Sequence, residues 1–192
     1  MFSRWGRILF GMLVVVGVFS GPVAGQSLGA GGADMQAVRA EQQQKTKAFL
    51  DAELKEGQEF MASIAGKPKG EKIVAIRAFK TAQYEKNCAF REERYQERKV
   101  FLQGRSGQAG GMNAVMKEKM IDRLEADYRE VKEFFAGKHQ ENMTFLDGVL
   151  ANVALDGAAL DQALQEFFQE QKKSAQQFMQ TKKSFGGGMN RR

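Results

Sequence analysis

After Pro22 the chain carries a single proline, Pro68, and that scarcity sets what it can fold into. Proline removes a helical donor and clashes with the preceding turn, so long stretches on either side of Pro68 are free to be helical. Ala, Gln, Glu, Lys, Met and Leu dominate them, residues that lose little rotamer freedom in a helix. Alternating β-branched and polar residues, the mark of a half-buried strand, are nearly absent. The chain is therefore predicted to be all-α.

Periodicity places the helices. Met35, Val38, Gln42, Thr46, Phe49, Glu53, Phe60 and Ile64 recur at steps of three or four, or their sums, which puts them on one stripe of a helix A from about Asp34 to Ala65, with Asp34 as its N-cap. Gly66-Lys67-Pro68-Lys69-Gly70 ends it. Helix B is expected from Glu71 to Gln103 with Ile73, Ile76, Phe79, Tyr84, Phe90, Tyr95 and Leu102, a less clean stripe. Residues 104–111, rich in Gly, form a linker. Helix C, from about Met112 to Val153, carries Met116, Met120, Leu124, Tyr128, Val131, Phe135, Asn142, Phe145, Val149 and Val153 in the rhythm of a coiled-coil seam, with Gly137 and Gly148 as candidate bends. After the turn at Asp156-Gly157, helix D runs from Ala158 to Ser184 with Leu160, Leu164, Phe167, Gln171, Phe178 and Phe185. The glycine-rich leader 26–33 and the tail 186–192 are expected to be flexible. The expected architecture is two long antiparallel helical hairpins, A-B over 34–103 and C-D over 112–185, as a four-helix bundle or an elongated helical assembly.

The layout is expected to reflect an internal duplication, against the alternative that any two helices with Phe on a 3.5-residue rhythm align equally well. A shift of 85 residues sets Met35 on Met120, Lys47 on Lys132, Phe49 on Phe134, Glu56 on Glu141 and Phe60 on Phe145. A shift of 88 sets Ala75 on Ala163, Phe79 on Phe167, Gln83 on Gln171 and Phe90 on Phe178.

Residues 1–25 read as a signal peptide. Arg4 and Arg7 make a positive start, Ile8 to Phe19 an apolar run of 12 residues, and Val23 and Gly25 supply small side chains before a cut at Gln26. A membrane span needs about 20 apolar residues, so a cleaved signal is favoured over a retained anchor, and a periplasmic or extracellular location follows. Cleavage takes Arg4 and Arg7 from 29 basic residues set against 23 acidic ones, leaving +4. Acids and bases alternate, as in Arg91-Glu92-Glu93-Arg94, whereas a nucleic-acid surface gathers one sign on one face. Nucleic acid is not an expected partner; weak contact with anionic membranes is. Cys88 is the only cysteine: it has no internal disulfide partner, and is either buried as a small hydrophobe or open to intermolecular pairing.

Chemistry-bearing patterns are sparse. His139 is the only histidine and has no second ligand at metal-site spacing. Carboxylate pairs such as Glu92 with Glu93, or Asp122 with Glu125, are those any charged helix carries. Ser106 lacks a recognisable base, and the stretch from Gly104 to Gly111 lacks the Gly-Lys-Ser/Thr ending of a phosphate loop. No catalytic residue, cofactor or metal is predicted.

Binding potential lies in the aromatics and methionines. Neighbouring residues in a helix point about 100° apart, so in Phe134-Phe135 and Phe167-Phe168 one ring can face a helix partner and the other can face elsewhere. Phe134, Phe135, Phe167, Phe168, Met116 and Met120 are the candidate partner-binding surface, against the alternative of a phenylalanine-rich core. The composition, basic, cysteine-poor and rich in Gln, Lys and Met, is similar to that of small exported helical chaperones of the Gram-negative periplasm, in composition alone. The expected function is a non-enzymatic envelope protein that binds other proteins, chaperone-like or scaffold, and forms homo-oligomers. The alternatives are a self-associating structural protein or a peripheral membrane-surface binder.

Overall fold

The computed structural model describes residues 31–104 and 114–186. They form four α-helices and, among the described residues, no strand: α1 (Gly31–Ile64), α2 (Lys69–Gly104), α3 (Ala114–Ala151) and α4 (Gly157–Gly186). The all-α class is thus observed, with helices of 34, 36, 38 and 30 residues. The expected signal peptide, most of the leader, the linker beyond Gly104 and the tail beyond Gly186 lie outside the described residues.

The helix ends follow turn chemistry. Past α1, Gly66 takes a left-handed φ of 76° and the Lys67 amide donates back to the Ile64 carbonyl at 3.2 Å, closing the last turn. Pro68 then starts α2, its carbonyl accepting from the Lys72 amide at 2.9 Å while its missing N–H costs nothing at a helix start. At the other turn the Asp156 carboxylate accepts from the Gly157 amide at 2.8 Å, and its carbonyl accepts from the Leu160 amide at 3.3 Å. Gly157 sits at φ 52°, a backbone glycine adopts freely.

The boundary furthest from expectation is the start of α1. Helix α1 already includes Gly31, Gly32 and Ala33, so Asp34 lies inside the helix and is not its N-cap. Glycine costs about 1 kcal/mol against Ala within a helix, a penalty that a long amphipathic helix carries through its packed face. Helix α3 runs unbroken through Gly137 and Gly148, a length of about 57 Å at 1.5 Å per residue.

Contacts cluster into two compact units: residues 1–72 with 153–192, and residues 73–152. Both boundaries fall just beside a turn, so each expected hairpin contributes one helix to each unit. In the first unit, Ile64 of α1 and Leu160, Leu164, Phe168, Ala175 and Met179 of α4 are buried, and Lys72 pairs with Asp161 at 3.1 Å. In the second, Ile73, Ile76, Tyr95 and Leu102 of α2 are buried, with Leu124, Val131, Met143, Leu146 and Val149 of α3. Each fully buried large apolar side chain contributes about 1.5–3 kcal/mol.

Within the second unit the order of contacts fixes direction and register. Arg77 pairs with Asp147, Thr81 with Met143, Tyr84 with His139, Arg91 with Phe135, Tyr95 with Tyr128 and Lys99 with Glu125. Rising numbers on α2 meet falling numbers on α3, so the two helices are antiparallel.

The phenylalanines and glutamines aligned by the two shifts have matching burial. Phe49 and Phe134, Phe60 and Phe145, Phe79 and Phe167, and Phe90 and Phe178 are all half-buried, while Gln83 and Gln171 are both buried. The same 88-residue shift sets Lys80, Asn87 and Arg91 of α2 on Phe168, Ala175 and Met179 of α4, and all six are buried. Burial is shared between the two helices; the chemistry is not.

Candidate functional site

The feature that sets α2 apart is a polar stripe on its buried side. Lys80, Gln83, Asn87, Arg91 and Arg94 follow steps of three and four, and every one is buried. They continue the line of Ile73 and Ile76, and Leu102 resumes it. Sequence reasoning missed this stripe because on helix B it followed apolar and aromatic residues alone; the signal was the seven-residue rhythm Ile73, Lys80, Asn87 and Arg94, polar in mid-helix. Lys and Arg in such places lay their methylene stems along apolar surface.

Buried charges are costly unless partnered, and each cation here has a different answer. The Lys80 ammonium donates to the Gln83 side-chain oxygen at 3.3 Å. Arg94 donates to the Glu97 carboxylate one turn on. Arg91 places its guanidinium 3.8 Å from the centroid of the Phe135 ring, a cation–π contact worth up to about 2 kcal/mol when desolvated. Its Nε has no hydrogen-bond partner among the described residues. Burial pulls the Arg91 guanidinium below its ordinary value, and the neighbouring Cys88, Tyr84 and Tyr128 work against that pull.

Aromatic contacts flank the stripe. Tyr84 stacks on His139 with centroids 4.3 Å apart, and Tyr95 stacks on Tyr128 at the same spacing. The Tyr128 hydroxyl donates to the Glu92 carboxylate, which also accepts from Gln96 through its other oxygen at 2.7 Å. These bonds hold the Glu92 carboxyl below its usual range. Desolvation, reinforced by Glu92, pushes the Tyr128 phenol up. Cys88 is half-buried, between the two alternatives expected for it.

The six residues expected to form a partner-binding surface are divided between the units. Met116, Met120, Phe134 and Phe135 lie on α3 of the second, Phe167 and Phe168 on α4 of the first. Phe168 is 0 % exposed, which corrects its assignment to the surface: it is core. Its neighbour Phe167, half-buried, meets it edge-on at 5.4 Å, as the 100° offset requires. Phe134 and Phe135 are both half-buried, edge-to-face at 5.2 Å, and the Lys138 ammonium lies 5.7 Å from the Phe134 centroid. Met120 is half-buried, and Met116, at 49 % exposure, is the most open of the six.

Among the described residues no group of three or more His, Cys, Asp or Glu side chains is arranged to hold a metal ion, and no helix is long and apolar enough to cross a membrane. No protein-family model, curated protein or solved structure matches the chain.

Proposed function

We propose that the mature chain is an exported, non-enzymatic helical protein that binds other proteins of the cell envelope, as a chaperone-like or scaffold component. The observation that carries this reading is the placing of exposed apolar side chains at both ends of the α2–α3 pair. Val74 and Leu150, level with each other across the two helices, are exposed at one end; Val100, Val115 and Met116 are exposed at the other. Large side chains of this kind, set among charged helix faces, are what a partner segment buries.

The test is the mass of the folded protein in solution together with uptake of a hydrophobic dye. A monomer or small oligomer that takes up dye, and loses uptake in Met116→Glu and Val74→Glu, supports client binding. A tight oligomer with no dye uptake overturns it in favour of a self-associating structural protein. Export rests on residues 1–25, and mass spectrometry of the protein recovered from cells, with Gln26 as its first residue, checks it.

A further inference from the structure

The positive charge of the chain is gathered in one stretch. Residues 171–192 hold six basic residues, Lys172, Lys173, Lys182, Lys183, Arg191 and Arg192, and no acidic one. Without them, residues 26–170 carry 21 basic against 23 acidic side chains, so the whole positive balance beyond residue 25 resides in this stretch. It departs from the alternation of acids and bases that marks segments such as Arg91-Glu92-Glu93-Arg94.

Helix α4 carries four of the six. Its apolar stripe is already packed, with Leu164, Phe168, Ala175 and Met179 buried. At 100° per residue, Lys172, Gln176, Gln180 and Lys173 fall within about 100° of one another, off that stripe. Lys173, Gln176 and Gln180 are exposed and Lys172 is half-buried. No carboxylate pairs with Lys172 or Lys173 among the described residues. The helix dipole does not account for these two: its attraction for cations fades beyond the last turn, and both stand about four turns before Gly186. A single-stranded nucleic acid seeks rings on which bases stack. The exposed residues Lys173, Gln176, Gln177, Gln180 and Thr181 offer none.

We propose that residues 171–192 dock the protein on the surface of an anionic lipid bilayer, with the face of α4 that carries Lys172 and Lys173 turned to the headgroup phosphates. The sequence led to weak contact with anionic membranes without placing it on any element; the charge balance and this face of α4 place it. The complementarity is electrostatic, since clusters of about four to eight Lys and Arg side chains hold to anionic lipid. With the apolar stripe of α4 packed inside its own unit, the contact draws on charge and not on an inserted apolar face. Salt therefore reverses it. This inference is independent of the partner-binding reading, whose exposed side chains lie on α2 and α3.

The experiment is co-sedimentation of the mature chain recovered from cells with vesicles of phosphatidylcholine containing about a quarter phosphatidylglycerol, set against vesicles of phosphatidylcholine alone. Binding is expected with the anionic vesicles only, present at about 0.1 M salt and lost at about 1 M. Lys172→Gln combined with Lys173→Gln is expected to weaken it about twentyfold. Lys117→Gln combined with Lys119→Gln removes equal charge from the mixed Lys117-Glu118-Lys119 segment of α3 and is expected to change it less than about twofold. Should the α4 pair fail to fold by circular dichroism, Lys173→Gln alone decides, with an expected loss of about fivefold. No sedimentation with anionic vesicles, equal sedimentation with neutral ones, or equal weakening by the two double variants overturns the proposal. Binding to a DNA duplex that the α4 variant weakens, with its vesicle binding unchanged, overturns it in favour of nucleic acid.

Discussion

The phenol ring of Tyr84 and the imidazole of His139 lie parallel to within 5°, their centroids 4.3 Å apart. The contact gives a role to the chain's one histidine that its flanking Lys138 and Gln140 do not reveal. Desolvation against this surface pulls the imidazole below its ordinary value, and Glu85 works in the opposite direction. A group depressed in this sense makes the folded state resist protonation. As the pH falls through about 6.5 the unfolded chain binds the proton first, stability declines, and the decline levels once the folded imidazole is also charged. His139→Phe keeps a ring to stack and removes the titration. Urea midpoints are expected to move in favour of His139→Phe as the pH is lowered from about 8 to about 5. A difference between the two proteins that does not vary with pH contradicts the assignment.

Tyr128→Phe tests the hydroxyl that holds Glu92. The carboxyl is depressed chiefly by this bond and next by Gln96, so its contribution is present above the unfolded carboxylate value near 4.3 and is lost as the pH falls through the folded one. Removing the hydroxyl is expected to cost about 0.5–1 kcal/mol near neutrality and to flatten the loss of stability on acidification. Equal acid unfolding curves for the two proteins would show that the bond carries no energy.

Alkaline titration reads the same region from the other side. Tyr84 is raised by desolvation and then by Cys88, and Tyr128 by desolvation and then by Glu92. Groups raised in the folded state favour folding below the unfolded value near 10 and lose that contribution as the pH climbs through their folded values. Ultraviolet absorbance of the folded protein is expected to show Tyr84 and Tyr128 ionising above pH ~10. Normal titration of Tyr84 and Tyr128 before unfolding, read against Tyr84→Phe and Tyr128→Phe, rules this out.

Neighbouring phenylalanines are expected to behave differently. Phe168 is wholly buried and Phe167 half-buried, so Phe168→Ala is expected to cost about 3–5 kcal/mol and Phe167→Ala clearly less. Leu146→Ala, at another fully buried position, is expected to cost about 2–5 kcal/mol. Thermal or urea unfolding of the three variants measures this, and equal losses at Phe167 and Phe168 would contradict the difference in their burial.

Much of the helical layout was legible in the residues. Pro68 with Gly66, and Asp156 with Gly157, are turn chemistry that local backbone energetics enforce, and helices end beside them wherever the chain is placed. The stripe of helix A was legible for the same reason: Val38, Gln42, Thr46, Phe49 and Phe60 are half-buried, and Glu53 and Ile64 buried. The polar stripe of α2 was not, because burial of Lys80 or Arg91 depends on surroundings that no local preference encodes. Phe168 was misplaced for a related reason, since a pair of adjacent rings tells that one faces inward without telling which.

By itself, then, the sequence determined four long helices and where they stop, because proline, glycine and a 3.6-residue period act over a few residues. Tertiary structure decided that α2 runs antiparallel to α3 in one unit, that Arg91 lies over Phe135, and that Tyr84 stacks on His139. Those outcomes come from one helix surface meeting another, with charge, ring geometry and excluded water weighed together at each level of the ladder.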